Sequence, residues 1–244
     1  MKTVAIIEAR MTSTRLPGKI LLPILGKPML ELLIERLKRA KLLDQILVAT
    51  TQNHSDDVVE QLTHRIDVGC FRGSEDDVLD RVLCAAHANE ADVIVEITGD
   101  CPLIDPTVLD QVIQTYQTKN VDYVSNVLKK TFPHGMEIQV FSTAVLDKVA
   151  KLTQDPIDHE HVSLYIYEHP EIFSLLNVGS DLPEKYWDLR LTVDTQEDFQ
   201  LIKAIYELLY PQNPAFTLYD ILDLLEKRKD LIELNQNIQQ KKVR

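Results

Sequence analysis

The sequence predicts an α/β protein with a mainly parallel central sheet flanked by helices, and three observations carry that expectation. Apolar runs of strand length at residues 3–7, 45–50 and 92–97 suit strands buried on both faces. Between them lie segments whose apolar residues recur at helical spacing. Strand and helix alternating in this way imply right-handed βαβ units. The third observation is length: 244 residues without a linker, repeat or low-complexity stretch bury one sizeable core, so a single domain over 1–244 is expected.

The elements follow in order. Residues 3–7 form the first strand, and a polar segment from Ala9 to Lys19 leads to an amphipathic helix over 28–41. Leu30, Leu33, Ile34 and Leu37 line its apolar face, and Pro28 suits its first turn. Residues 45–50 are a strand, with Ser55 as the N-cap candidate for a helix over 56–66. A short strand at 68–71 precedes a helix over 75–89. The buried strand at 92–97 ends at Thr98-Gly99-Asp100, and Pro106 opens a helix to about 118. A strand begins at 122–125. Beyond 130 the pattern predicts strands at 136–141, 172–178 and 189–193 and helices at 142–152, 158–168, 195–210 and 217–229. The Gln/Lys-rich end, 235–244, reads as frayed.

Composition narrows the classes of partner. The formal net charge is -12, which argues against nucleic acid and anionic membranes, since both require a basic contact surface. The average hides an asymmetry: residues 1–43 carry nine Lys/Arg against three Glu. Cys70, Cys84 and Cys101 are odd in number and lack metal-site spacing, as expected for reduced thiols. The N-terminus is too short in apolar residues for a signal peptide, and no run approaches the roughly 20 needed for a membrane helix, so a cytoplasmic protein is expected.

In a parallel sheet, ligands bind beyond the carboxyl ends of the strands. The segment after the first strand places Arg10, Arg15 and Lys19 among three hydroxyls and a glycine, the composition of an oligophosphate cradle. It is neither a Walker loop nor a GxGxxG turn, and a solvated basic loop is the alternative. Asp100 and Asp194 each stand where a strand gives out. Two such carboxylates suit Mg²⁺, which takes oxygen ligands together with water and phosphate, while helix capping or turn formation is the alternative for either one. Cys101 reads as a small buried filler. His159 and His161 are two residues apart, so on a helix they do not converge on a metal.

The run Ala9-Arg10-Met11-Thr12-Ser13-Thr14-Arg15-Leu16-Pro17-Gly18-Lys19 resembles the signature of the sugar cytidylyltransferases, the group that includes the CMP-Kdo and CMP-sialic acid synthetases. Further matches are Arg72 to Arg81, Gly99-Asp100-Cys101-Pro102-Leu103-Ile104, Pro133-His134-Gly135-Met136-Glu137-Ile138, His159-Glu160-His161-Val162 and Val193 to Asp198, in order over residues 3–200. Within that group the pattern is most similar to the branch named for the spore coat polysaccharide biosynthesis protein SpsF. It departs at Cys101, where Kdo synthetases carry an acidic residue, and at His159, where the SpsF branch has Arg.

The resemblance implies a GT-A-like nucleotidyltransferase domain, usually a homodimer, that moves CMP from CTP to a sugar acid or sugar phosphate with Mg²⁺, in polysaccharide or glycan biosynthesis. It implies Arg10, Lys19 and Asp100 as catalytic residues. Ala9, Arg10, Arg15, Lys19, Ser74, Asp80 and Arg81 would contact the nucleotide, and Asp100 and Asp194 the metal. Glu137, His159, Glu160 and His161 would face the acceptor. Two other readings are a GT-A glycosyltransferase, against which stands the lone Asp of Gly99-Asp100-Cys101 in place of DxD, and a non-catalytic nucleotide-binding scaffold, against which stand Arg10, Lys19, Asp100 and Asp194.

Overall fold

The computed structural model describes residues 1–241 and 243. Strand β1 (Thr3–Glu8) is followed by a loop and the small pair β2 (Pro23–Ile24) and β3 (Lys27–Pro28), then by α1 (Met29–Leu37). Next come β4 (Gln45–Thr51), α2 (Asp57–Arg65), β5 (Gly69–Gly73), α3 (Val78–Ala88), β6 (Val93–Thr98) and α4 (Pro106–Thr118). The second half contains β7 (Tyr123–Ser125), β8 (Gln139–Ser142), α5 (Thr143–Leu152), α6 (Pro156–Glu160), α7 (Leu164–Glu168) and β9 (Leu175–Asn177). Helices α8 (Gln196–Leu209), α9 (Leu218–Lys227) and α10 (Lys229–Ile232) close the chain.

Seven strands form one sheet in the order β5-β4-β1-β6-β8-β7-β9. The first four are mutually parallel; β8 runs antiparallel to β6 and β7, and β9 is parallel to β7. The expected mainly parallel sheet is therefore present, with β8 as its one reversed strand among the described residues. Both faces of the sheet are covered. Ala5 and Ile7 belong to a core with Leu33, Leu109 and Ile202, and Val4 and Ile6 to another with Val82, Leu146 and Ile166. Pairing places Glu8 opposite Thr98, so the loops after β1 and β6 leave the same edge side by side. Gly99 allows their close approach: a Cβ there would lie 2.9 Å from the Glu8 carbonyl oxygen. No helix among the described residues is long and apolar enough to cross a membrane.

Several boundaries differ from expectation for local reasons. Helix α1 ends at Leu37, and Pro28 is its extended N-cap. Ser55 does not cap α2; residues 54–56 form a 3-10 turn, and the Asp56 side chain instead accepts from Met11 N at 2.7 Å. Helix α3 starts at Val78, capped by Asp77, which frees Glu75 for the loop. The predicted helix over 158–168 is two short helices, because Val162 takes a positive φ of 40° between them. Residues 136–138 precede β8 and bond to the Asn126 side chain instead of a strand.

Residues 189–193 are not a strand. Their amides are satisfied piecewise, Leu191 N by the His134 carbonyl and Val193 N by that of Asp100. Gly135, at φ +97°, permits this contact, since a Cβ there would sit 2.3 Å from the Leu191 oxygen. The C-terminal segment is docked where described: Asn235 is buried and donates to the Arg190 carbonyl and Asp198 Oδ1, and Gln240 accepts from Arg190. The remainder of the expectation of fraying, at Lys242 and Arg244, lies outside the described residues.

Candidate active site

The loop between β1 and β2 carries three cations, and each meets a carboxylate. Lys19 is nearly buried, and its three donors reach Asp100 Oδ2 at 2.8 Å, the Val193 carbonyl at 2.6 Å and Asp194 Oδ1 at 3.1 Å. Arg15 Nη2 lies 2.8 Å from the same Asp194 oxygen. Arg10 Nη1 lies 3.3 Å from the Glu75 carbonyl and 3.5 Å from its carboxylate. One ammonium thus joins the ends of two chain segments 94 residues apart in sequence at the edge of the sheet.

Neither aspartate is committed to capping. Asp105 caps α4, accepting from Thr107 N, and Thr195 with Asp198 forms the capping box of α8. Asp100 and Asp194 are left to face Lys19. The other Asp194 oxygen is held by Arg190 Nη2 at 3.1 Å, and Arg190 is fixed in turn on Asp198. Burial pulls the Lys19 ammonium down, but the charges of Asp100 and Asp194 outweigh it and leave the group above its ordinary value. Burial likewise pushes Asp100 up, and Lys19 overcomes it, so this carboxyl is held below the ordinary carboxylate value. Both therefore carry full charge at neutral pH.

Around this centre the other predicted residues divide into three places. Ala9 is buried, its N–H donated to the Ala49 carbonyl. Ser74 Oγ accepts from Asp77 N in the turn before α3, and Arg81, 2% exposed, donates to the Ser74 and Glu75 carbonyls. Asp80 lies on the exposed first turn of α3. Glu137 accepts from Gly135 N at 2.6 Å and approaches His134 at 3.2 Å and the Cys101 thiol at 3.9 Å, which places it beside Asp100. His159 instead bonds Asp77 at 2.8 Å, with the Thr153 carbonyl at 3.3 Å, so α6 meets the start of α3 and not Glu137. Glu160 is exposed, and His161 N closes α6 on the Ile157 carbonyl.

Sequence reading missed Glu75, whose carboxylate accepts from Thr12 and Asn53 and so ties three loops together beside Arg10. It also missed Arg190, four residues before Asp194 but outside any regular element, and Glu8, whose Oε1 is buried without a partner. Burial pushes the Glu8 carboxyl up to about 7, against the nearby Arg81 charge. The only signal for Glu8 was a carboxylate directly abutting a buried strand.

This sheet, with a basic loop and two carboxylates converging on one edge, defines a nucleotidyltransferase. The chain matches the cytidylyltransferase family over residues 4–241. It is 34% identical over 232 residues to the spore coat polysaccharide biosynthesis protein SpsF of Bacillus subtilis, covering 92% of this chain and 94% of that protein. It is 29% identical over 243 residues to a 3-deoxy-manno-octulosonate cytidylyltransferase of Geobacter metallireducens, covering 88% and 94%. A solved cytidylyltransferase from Leptospira borgpetersenii superposes with a TM-score of 0.90 at 35% identity, covering 98% of this chain and 100% of that one. The chain belongs to the cytidylyltransferase family, enzymes that use CTP as the nucleotidyl donor.

Proposed function

We propose that the protein transfers CMP from CTP to a small anionic sugar, a sugar acid or a sugar phosphate, releasing pyrophosphate, in the building of a polysaccharide or glycan. The observation that carries this reading is the Lys19 ammonium held between Asp100 and Asp194, with Arg15 on the same aspartate. Cations that already lie against carboxylates at a strand edge are poised to exchange them for phosphate oxygens. Names of relatives support the sugar: SpsF is a polysaccharide biosynthesis protein, and the Geobacter enzyme acts on a sugar acid.

The residue roles follow from charge. Attack on the α-phosphate brings two anions together and loads negative charge onto the departing pyrophosphate. Arg10, Arg15 and Lys19 hold the triphosphate and stabilise that charge with donors already in place, an effect worth about 10²–10³ in rate per donor in comparable sites. Ser74 and Arg81 shape the loop on the nucleotide side, with Asp80 at its rim, and Ala9 keeps the start of the basic loop against the sheet. Glu137, beside Asp100, faces the acceptor; His159, with Glu160 and His161 on α6, borders the site from the α3 side. The working unit we expect is a homodimer.

The donor set suits Mg²⁺ of the kind that arrives with a nucleotide. Among the described residues no group of three or more His, Cys, Asp or Glu side chains forms a metal cage. Asp100 and Asp194 offer two hard oxygen donors that would hold such an ion together with water and the nucleotide's phosphates. The ion supplies charge neutralisation at the phosphates. Incubation with CTP, Mg²⁺, pyrophosphatase and a panel of sugar acids and sugar phosphates tests the function. Phosphate release that requires one sugar supports it, and no sugar-dependent release with any member of the panel refutes it.

A further inference from the structure

A cavity of about 460 Å³ lies behind the Asp194 segment, within the range typical of small-molecule sites. None of the three cations of the basic loop lines it. Its walls come from the segment around Lys130 and His134, from residues 185–191, and from the C-terminal segment that includes Asn235 and Gln240. In a protein of net charge -12, its lining among the described residues holds Lys130, Lys185 and Arg190 against one carboxylate, Asp188, whose side chain is 94% exposed.

Arg190 is the central feature. It is 6% exposed, and one edge of its guanidinium, Nε and Nη2, is committed to Asp198 and Asp194. Among the described residues the other edge, Nη1, meets only the neutral amide oxygen of Gln240, itself part of the cavity wall. Replacing a neutral acceptor with an anion roughly doubles the strength of such a bond. The two lysines are also available: Lys130 pairs with Asp188 at 2.6 Å and Lys185 with Glu226 at 2.5 Å, surface pairs of a kind worth about 0–1 kcal/mol.

We infer that this cavity is a second anion-binding site, separate from the triphosphate loop, that takes a small hydroxylated anion carrying a phosphate or carboxylate. The anionic group meets Arg190 Nη1, Lys130 and Lys185, and the amides of the C-terminal segment serve the hydroxyls. Because Arg190 Nη2 holds Asp194, whose other oxygen holds Lys19, the cavity and the nucleotide loop are joined by a single side chain. The site stands on its own lining and does not depend on which acceptor the enzyme uses.

The test is calorimetric titration of the full chain with 6-phosphogluconate, which bears both anionic groups on a polyol, in EDTA so that no turnover occurs. Saturable binding is expected. It should weaken about tenfold or more in the Lys130→Ala/Lys185→Ala double variant, the loss expected from one or more bonds to a charged group. It should weaken comparably in Gln240→Glu, which sets a carboxylate against Nη1, and stay within twofold of wild type in Arg10→Ala, since Arg10 pairs with Glu75 and not with Asp194. Competition by inorganic phosphate or by gluconate alone identifies which group is held, and either result supports the site. The inference is overturned by absence of saturable binding up to millimolar ligand, by unchanged affinity in both cavity variants, or by loss of binding in Arg10→Ala, which would place the ligand in the nucleotide loop.

Discussion

Replacing Lys19 with Met keeps the length of the side chain and removes its charge and all three of its donors. Among the described residues Asp100 then has no cation within bonding distance, whereas Asp194 keeps Arg15 and Arg190. Removing one partner of a buried ion pair costs about 3–5 kcal/mol. Asp100 keeps some solvent contact, its side chain being 24% exposed, so about 2–3 kcal/mol is expected at pH 7. The pH dependence has a definite sign. In the wild type Lys19 holds Asp100 below its ordinary 3.8, so the pair contributes stability above that value and loses it as the pH falls through the depressed one. In Lys19→Met the burial of Asp100 is no longer opposed by the lysine charge, its carboxyl moves up, and a protonated Asp100 no longer needs the lysine. Urea unfolding, followed by the fluorescence of the single tryptophan, Trp187, measures both proteins at pH 7 and near pH 3.5. The stability gap should be largest at pH 7 and shrink at low pH, with turnover at pH 7 down about 10²–10³. A gap under 1 kcal/mol at pH 7, or one that does not shrink in acid, would refute this account of Lys19.

Three other outcomes are expected. Glu8, pushed to about 7 by burial, binds a proton in the folded state between its ordinary 4.5 and 7, so ionising it costs stability as the pH rises through that window; Glu8→Gln should be more stable than wild type by about 3 kcal/mol at pH 8 and equal to it below pH 4.5, in unfolding curves across pH. Gly135→Ala, with its Cβ directed at the Leu191 carbonyl and a positive φ, should lose about 2–4 kcal/mol in denaturant melts and, by parting the 134–136 and 189–192 segments, lose activity as well. Burial pulls the His159 imidazole down, but its bond to Asp77 raises it above the ordinary 6.5, so His159→Ala should cost about 0.5–1 kcal/mol at pH 5.5 and little at pH 8.5; a cost independent of pH would remove the ion pair from the explanation.

The sheet was legible because its inner strands are predominantly apolar over strand length, with Glu96 the buried carboxylate inside β6. β1, β4 and β6 fall within a residue or two of their expected bounds. The second half was less legible because its backbone is satisfied by long-range partners that no local pattern reveals. Residues 189–193 look like a strand, yet bond to His134 and Asp100, and only Gly135 marks how closely the segments approach. Asp100 was visible as a carboxylate at the end of β6, and Asp194 as one after a predicted strand that does not form, but their relation was not visible: that one lysine spans both is a property of the folded edge. The C-terminal segment looked frayed because its Gln and Asn residues lack periodicity. They dock because the buried Arg190 guanidinium donates to the Gln240 amide oxygen, while the Asn235 side-chain amide donates to the Arg190 backbone carbonyl and to Asp198.

The acidic balance of the chain then takes on a specific meaning at the site. Each cation of the basic loop is already engaged, Arg10 with Glu75, Arg15 with Asp194, and Lys19 with Asp100 and Asp194. An unpaired cluster of three cations beside the sheet would repel itself and would attract any small anion. Pairing removes that repulsion and raises the threshold for entry, because an incoming anion must offer more than the carboxylates it displaces. A single phosphate or carboxylate exchanges one anionic partner for another with little gain. In the function proposed above, a triphosphate would engage all three cations at once, and the oxygens it would free at Asp100 and Asp194 would be available to a divalent ion carried in with it. On that proposal, discrimination in favour of the metal-nucleotide complex over monoanions would follow from an acidic protein whose basic residues near the site are held by its acids.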